Sequence, residues 1–200
     1  MREFSENNNI DLAILIDGFV QYLSTRNLYN EASIQHELGY FLRKEFEHKY
    51  SNNTMCIEFE RNVKGIIKEK AHEFIKKEID LFISSQDDYK CAIELKYVCK
   101  KNGRIPENMF DFCKDVKFLE QMKEKEFDNC YFFAVAEKKS NFNCGNCQDG
   151  IYKIFRQDKI INGCIQKPTG KKNKKLEIKG SYKINWKDLN EDWEYLLIQV

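Results

Sequence analysis

The chain has 200 residues and near-perfect charge balance, 33 Lys and Arg against 32 Asp and Glu, for a net charge of +1. That balance excludes a protein whose grip on nucleic acid or membrane rests on overall charge, so any basic surface must be local. Fifteen Phe and ten Tyr against two Pro argue against general disorder, and the length suits one globular domain over residues 1–200.

Eight cysteines raise the question of disulfides. No N-terminal stretch combines a basic head, an apolar core and a small-residue cleavage site, and the first apolar run, Leu12–Ile16, is bounded by Asp11 and Asp17. It is neither a signal core nor a membrane span. Cys56, Cys91, Cys99, Cys113 and Cys130 lie in apolar stretches, where a free cysteine packs as a small hydrophobe. The expected compartment is reducing and cytoplasmic, with no membrane association.

In chain order, Ile10, Ala13, Ile14 and Val20 recur at helical spacing and predict an amphipathic helix over 10–24, with Leu12, Leu15, Ile16, Phe19 and Leu23 widening its apolar face. Asn30 reads as an N-cap with Glu31 in the first turn, and Ile34, Leu38, Leu42 and Phe46 carry a second helix over 31–48. Glu37 sits at the edge of that stripe. It either looks sideways into a site or pairs with Lys44 or Arg43 as an ordinary boundary residue.

Alternation of Met55, Ile57 and Phe59 predicts a half-buried strand. Two apolar runs, Ile79–Ile83 and Cys91–Val98, flank the polar turn Ser84–Lys90 and read as a hairpin. Each run carries ionisable residues: Asp80 in the first, Glu94 and Lys96 in the second. Side chains two apart on a strand share a face, so Glu94 and Lys96 point the same way. Pro106 opens a third helix over 107–125, and Cys130–Ala136 is apolar throughout, as in a strand covered on both faces. Strands are expected at Ile151–Phe155, Leu176–Ile184 and Tyr195–Val200, between and after loops at 138–150 and 166–175. The fold class expected is α/β, a mixed central sheet flanked by helices with extra C-terminal strands.

An acid two before a lysine occurs six times, at Glu47, Asp88, Glu94, Asp115, Glu137 and Glu177, so the triplet alone has no weight. Glu94-Leu95-Lys96 differs in its setting, inside an apolar strand, beside a strand carrying Asp80, after a helix with an edge acid. That layout resembles the PD-(D/E)XK nuclease superfamily, with its restriction-endonuclease-like α-β-β-β-α-β core, over roughly residues 30–137. The resemblance implies Asp80, Glu94 and Lys96 as catalytic residues, helped by Glu37 of the first core helix. Ile79 stands where the family has proline. Gln121 is followed four residues later by Lys125, not by the tyrosine of an exonuclease-like subgroup. The stretch Arg104–Glu107 with Glu120-Gln121 and Gly150–Tyr152 also resembles a recurrent bacterial family of unassigned role.

The chemistry is coherent by itself. Asp80 and Glu94 with the Leu95 carbonyl offer hard oxygen ligands for Mg²⁺ or Mn²⁺, and Glu37 could bind a second metal or hold a metal-bound water. A metal there would polarise a phosphodiester oxygen, and Lys96 would orient or deprotonate water and offset phosphate charge. The expected activity is metal-dependent hydrolysis of nucleic acid, with DNA the expected substrate. The alternative is an inactive nuclease-fold protein serving as an interaction or regulatory module, its Asp80, Glu94 and Lys96 forming cross-strand ion pairs. A homodimer is a partner option, since many nucleases pair two sites that way.

Other signals are weaker. Lys171, Lys172, Lys174 and Lys175 form a local basic run that could hold phosphates, though such runs are often simply solvated. Cys144 and Cys147 with Cys164 could form part of a zinc site, but His36, His48 and His72 all lie far upstream, which favours reduced loop cysteines.

Overall fold

A computed structural model describes residues 12–27, 29–49, 55–67, 73–99, 103–138, 140, 142–170 and 174–200. Helix α1 (Leu12–Leu23) buries Leu12, Leu15, Ile16, Phe19, Val20 and Leu23, the stripe its spacing demands. Helix α2 (Glu31–Lys49) begins where the Asn30 side chain accepts the Ser33 N–H at 2.8 Å, and it buries Ile34, Leu38, Leu42 and Phe46. Both helices pack on one face of a six-stranded sheet.

The strands of that sheet are β1 (Cys56–Asn62), β2 (Glu78–Ser84), β3 (Lys90–Val98), β4 (Asn129–Glu137), β7 (Lys187–Asp188) and β8 (Trp193–Gln199). Their order is β1-β2-β3-β4-β8-β7. Only the β3–β4 pair is parallel. A parallel pair requires a crossover, and helix α3 (Ile105–Lys123) supplies it across the opposite face. The molecule is thus mixed α/β. β4 is central and covered on both faces, which is why Cys130–Ala136 carries no charged residue.

The departures from the sequence reading lie in the C-terminal third, where the short β7 was not expected either. Ile151–Phe155 is not a strand: helix α4 (Ile151–Lys153) runs into a π turn over Ile154–Asp158. Ile151 and Phe155, four apart, both reach the core, which a helix permits and which alternation had equally suggested for a strand. Strand β5 (Ile160–Gln166) was not foreseen, because Gly163, at φ +62°, breaks its alternation. It pairs with β6 (Lys175–Lys183) as a separate hairpin packed on α3. Its register slips between Asn162 and Gly163, leaving the Lys179 and Gly180 N–H groups without strand partners. The buried Glu120 carboxylate of α3 accepts both, at 3.1 and 2.7 Å, and the Tyr182 hydroxyl at 3.1 Å. Among the described residues no helix is long and apolar enough to cross a membrane.

Candidate active site

Strands β2 and β3 pair only from Leu81 opposite Ile93 to Ser84 opposite Lys90. Towards the start of β2 and the end of β3 they part, while β3 stays paired with β4 through Val98. The Leu95 and Tyr97 N–H groups face the side that β2 has left, and buried donors require acceptors. Carboxylates fill the gap. Asp80 Oδ2 accepts the Leu95 N–H at 2.8 Å, and Glu31 Oε2 accepts the Tyr97 N–H at 3.2 Å. The fork between two strands has become a cradle for acids.

Ala92, Glu94, Lys96 and Val98 alternate onto the β3 face that α3 covers. Glu94 is fully buried there, and its Oε1 accepts the Asp80 N–H at 3.4 Å. From α3, Asp115 enters the same space, 2% exposed. Lys76, just before β2, places its ammonium among three carboxylates: it contacts Glu94 Oε2, Asp115 Oδ1 at 3.0 Å and Asp80 Oδ1 at 3.4 Å. Lys96 stands beside this group. Its ammonium donates to the Leu95 carbonyl at 2.9 Å and meets Asp115 Oδ2 at 3.1 Å and Glu31 Oε1 at 3.4 Å. Asp115 Oδ2 is buried and receives no hydrogen bond, only that ion-pair contact. Gln35 closes one side, donating to the Asp80 carbonyl at 2.5 Å and to Glu60 at 2.9 Å.

Glu31, Asp80, Glu94 and Asp115 face Lys76 and Lys96, so with all six groups ionised the cluster would carry two surplus negative charges, the charge of one divalent cation. Burial, reinforced by Asp80 and Asp115, pushes the Glu94 carboxyl well above the usual carboxylate range. Burial raises Glu31 as well, against the pull of Lys96. For both lysines burial favours the neutral amine, but the carboxylates, Asp115 foremost, outweigh it and hold the ammonium forms.

Of the residues expected from sequence, Asp80, Glu94, Leu95 and Lys96 are brought together. Glu37 is not. Its carboxylate accepts the Tyr22 hydroxyl of α1, because six residues beyond Glu31 a helix has turned by about 240°. The acid that α2 contributes is Glu31, in its first turn. Glu31, Gln35, Lys76 and Asp115 were missed. For Asp115 a signal existed: it lies three after Phe112 and four before Leu119, on the apolar stripe of α3. Lys76 lies outside any periodic element and gave none.

Lys171 and Lys172 fall outside the described residues, as does His72. Lys174 and Lys175 are exposed at the start of β6. Before them in the chain, the Thr169 hydroxyl donates to Glu107 in the first turn of α3. Cys144, Cys147 and Cys164 are free and exposed. Among the described residues no three His, Cys, Asp or Glu side chains are spaced to close directly on a metal ion. What the Asp80, Glu94 and Asp115 oxygens do share is one cation, the Lys76 ammonium, so the donor set converges on a single position of positive charge. Compared with protein-family models, with curated proteins and with solved structures, the chain matches none.

Proposed function

We propose that this protein is a metal-dependent phosphodiesterase of the PD-(D/E)XK type acting on nucleic acid, with DNA as substrate. The observation that carries the reading is the fork. Asp80 on one strand and Glu94-Leu95-Lys96 on its antiparallel neighbour meet where the strands separate, with a cation already seated between the two acids. The element order from α2 to β4, helix, three antiparallel strands, helix and parallel strand, also supports a restriction-endonuclease-like core.

Asp80, Glu94 and the Leu95 carbonyl are the oxygen ligands that would hold Mg²⁺ or Mn²⁺, which when bound supplies Lewis-acid polarisation of a phosphodiester oxygen. The remaining roles belong to the chain. Asp80 is fixed by the Leu95 N–H and Glu94 by the Asp80 N–H, so neither must be ordered on binding. Lys96, kept as an ammonium by Asp115 and Glu31, cannot accept a proton. Its part is to donate to a phosphate oxygen or a water and to offset negative charge. Glu31 aligns Lys96 from the more open side. Thr169, ahead of the basic run, bonds Glu107 of α3, eight residues or about 12 Å along the helix from Asp115.

Purified protein incubated with Mg²⁺ or Mn²⁺ and single- or double-stranded DNA or RNA tests the reading. Lys96→Ala and Asp80→Ala should each abolish cleavage while the fold persists; wild-type cleavage in both would sink it. The second reading, an inactive interaction module, draws on the engagement of all four acids by lysines or main chain. An anomalous Mn²⁺ peak between Asp80 and Glu94 in soaked crystals separates the two, since the module predicts none.

A further inference from the structure

The two lysines of the cluster are not equivalent. Lys96 comes from the strand itself and touches neither Asp80 nor Glu94; its partners are Asp115, Glu31 and the Leu95 carbonyl. Lys76 comes from the segment preceding β2 and stands between the two acids assigned to the metal. Its third partner, Asp115, lies on α3 and is not one of the acids assigned to the metal.

The segment bearing Lys76 is itself held. Gln121 of α3 accepts the Ile75 N–H at 3.0 Å and donates to the Glu73 carbonyl at 3.2 Å. Phe74 packs edge-on against Phe118, and the Lys76 ammonium lies 5.7 Å from the Phe118 ring centre. The backbone is therefore anchored while the long side chain alone reaches the acids. Lys76 has a partner to fall back on in Asp115, and its side chain is 18% exposed, enough to swing without opening the core.

Cations that share ligands compete. An ammonium in contact with both Asp80 and Glu94 cannot keep those contacts once a divalent ion takes the same oxygens. We propose that Lys76 is the resident counter-ion of the site: a divalent cation displaces it from Asp80 and Glu94, and it keeps Asp115 and turns to the approaching phosphate. The proposal rests on the metal reading above. It assigns Lys76 a positioning role, setting metal affinity and keeping the acids neutralised until metal arrives, and it gives Gln121 the task of holding the segment in place.

Mn²⁺ titrated calorimetrically into the full chain is the test, using wild type, Lys76→Met, Lys76→Gln and Asp80→Asn. Lys76→Gln retains an N–H donor for Glu94, so it keeps the buried carboxylate partnered if Lys76→Met does not fold. Removing a competing charge should tighten Mn²⁺ binding at least about tenfold in both Lys76 variants, the scale on which one adjacent charge shifts a neighbouring equilibrium. Asp80→Asn should abolish binding. Affinity unchanged or weaker in the Lys76 variants, with Asp80→Asn still abolishing it, overturns the role of Lys76 and leaves the metal reading standing. No Mn²⁺ binding by any folded form overturns both. In the unaltered chain, ¹⁵N signals of the lysine ammonium groups give a second readout: that of Lys76 should move on addition of saturating Mg²⁺. A signal that stays in place overturns the displacement.

Discussion

Asp115 is the acid both lysines share, so Asp115→Asn should be felt by the whole cluster. The substitution keeps shape and removes only charge. Breaking a buried ion pair from one side costs about 3–5 kcal/mol when the stranded charge has nothing else. Here neither lysine is stranded: Lys76 keeps Asp80 and Glu94, and Lys96 keeps Glu31 and the Leu95 carbonyl. Their side chains are also 18% and 20% exposed, so water recovers part of the loss. The expected destabilisation is therefore smaller, about 2 kcal/mol. For a chain of this size that lowers Tm by about 4–8 °C. Thermal and urea unfolding would measure it, with Asp111→Asn on the exposed side of α3 as control. A double-mutant cycle with Lys96→Met should show coupling between the two sites. An Asp115→Asn protein within about 0.5 kcal/mol of wild type, or no coupling to Lys96, would refute the view of Asp115 as the hub of charge.

Glu94 titrates above the ordinary glutamate range, so its contribution to stability is fully present below the unfolded value of about 4.3 and is lost as pH rises through the folded one. Glu94→Gln should flatten that decline in unfolding curves taken across pH, and in the wild type Mg²⁺ should offset it. Glu31→Ala should lower metal-dependent cleavage about tenfold or more by freeing Lys96, whereas Glu37→Ala should leave it unchanged; equal effects in a cleavage assay would contradict the placement of both acids. Gly39→Ala, in the middle of α2, would ordinarily stabilise a helix by about 1 kcal/mol. A Cβ at this position would overlap the Phe59 ring, so the sign should reverse, to a loss of about 1–3 kcal/mol in urea unfolding.

The elements most legible in the sequence were those whose burial is one-sided and periodic. The stripes of α1 and α2 and the uninterrupted Cys130–Ala136 run lie where their patterns placed them. The strand pair carrying Asp80, Glu94 and Lys96 was readable because charge inside an apolar strand demands a partner, which the lysines and main chain supply. What failed was anything that depends on where a strand stops pairing. Glu31 joins the cluster because β2 and β3 part at Leu81 and the Tyr97 N–H turns to the Glu31 carboxylate, and no local pattern announces a parting of strands. Asp115 belongs to one of the six acid–any–lysine triplets, yet on a helix the lysine of that triplet turns away and pairs with Glu120 instead. The same spacing that joins Glu94 and Lys96 on a strand separates Asp115 from Lys117. β5 was hidden by its own irregularity, the bulge that Glu120 repairs.

The position of β4 also governs how the chain can reach this state. Its inner edge is completed by β3, close in sequence, but its other edge is closed by β8, after residues 138–192 have been placed. Until then the most apolar strand of the sheet has one open ladder, a template for any passing strand, including that of a second chain. Long-range closure of this kind slows folding and lengthens the time the edge is exposed. Refolding yield should therefore fall with protein concentration, and β8 supplied as a separate peptide should raise it.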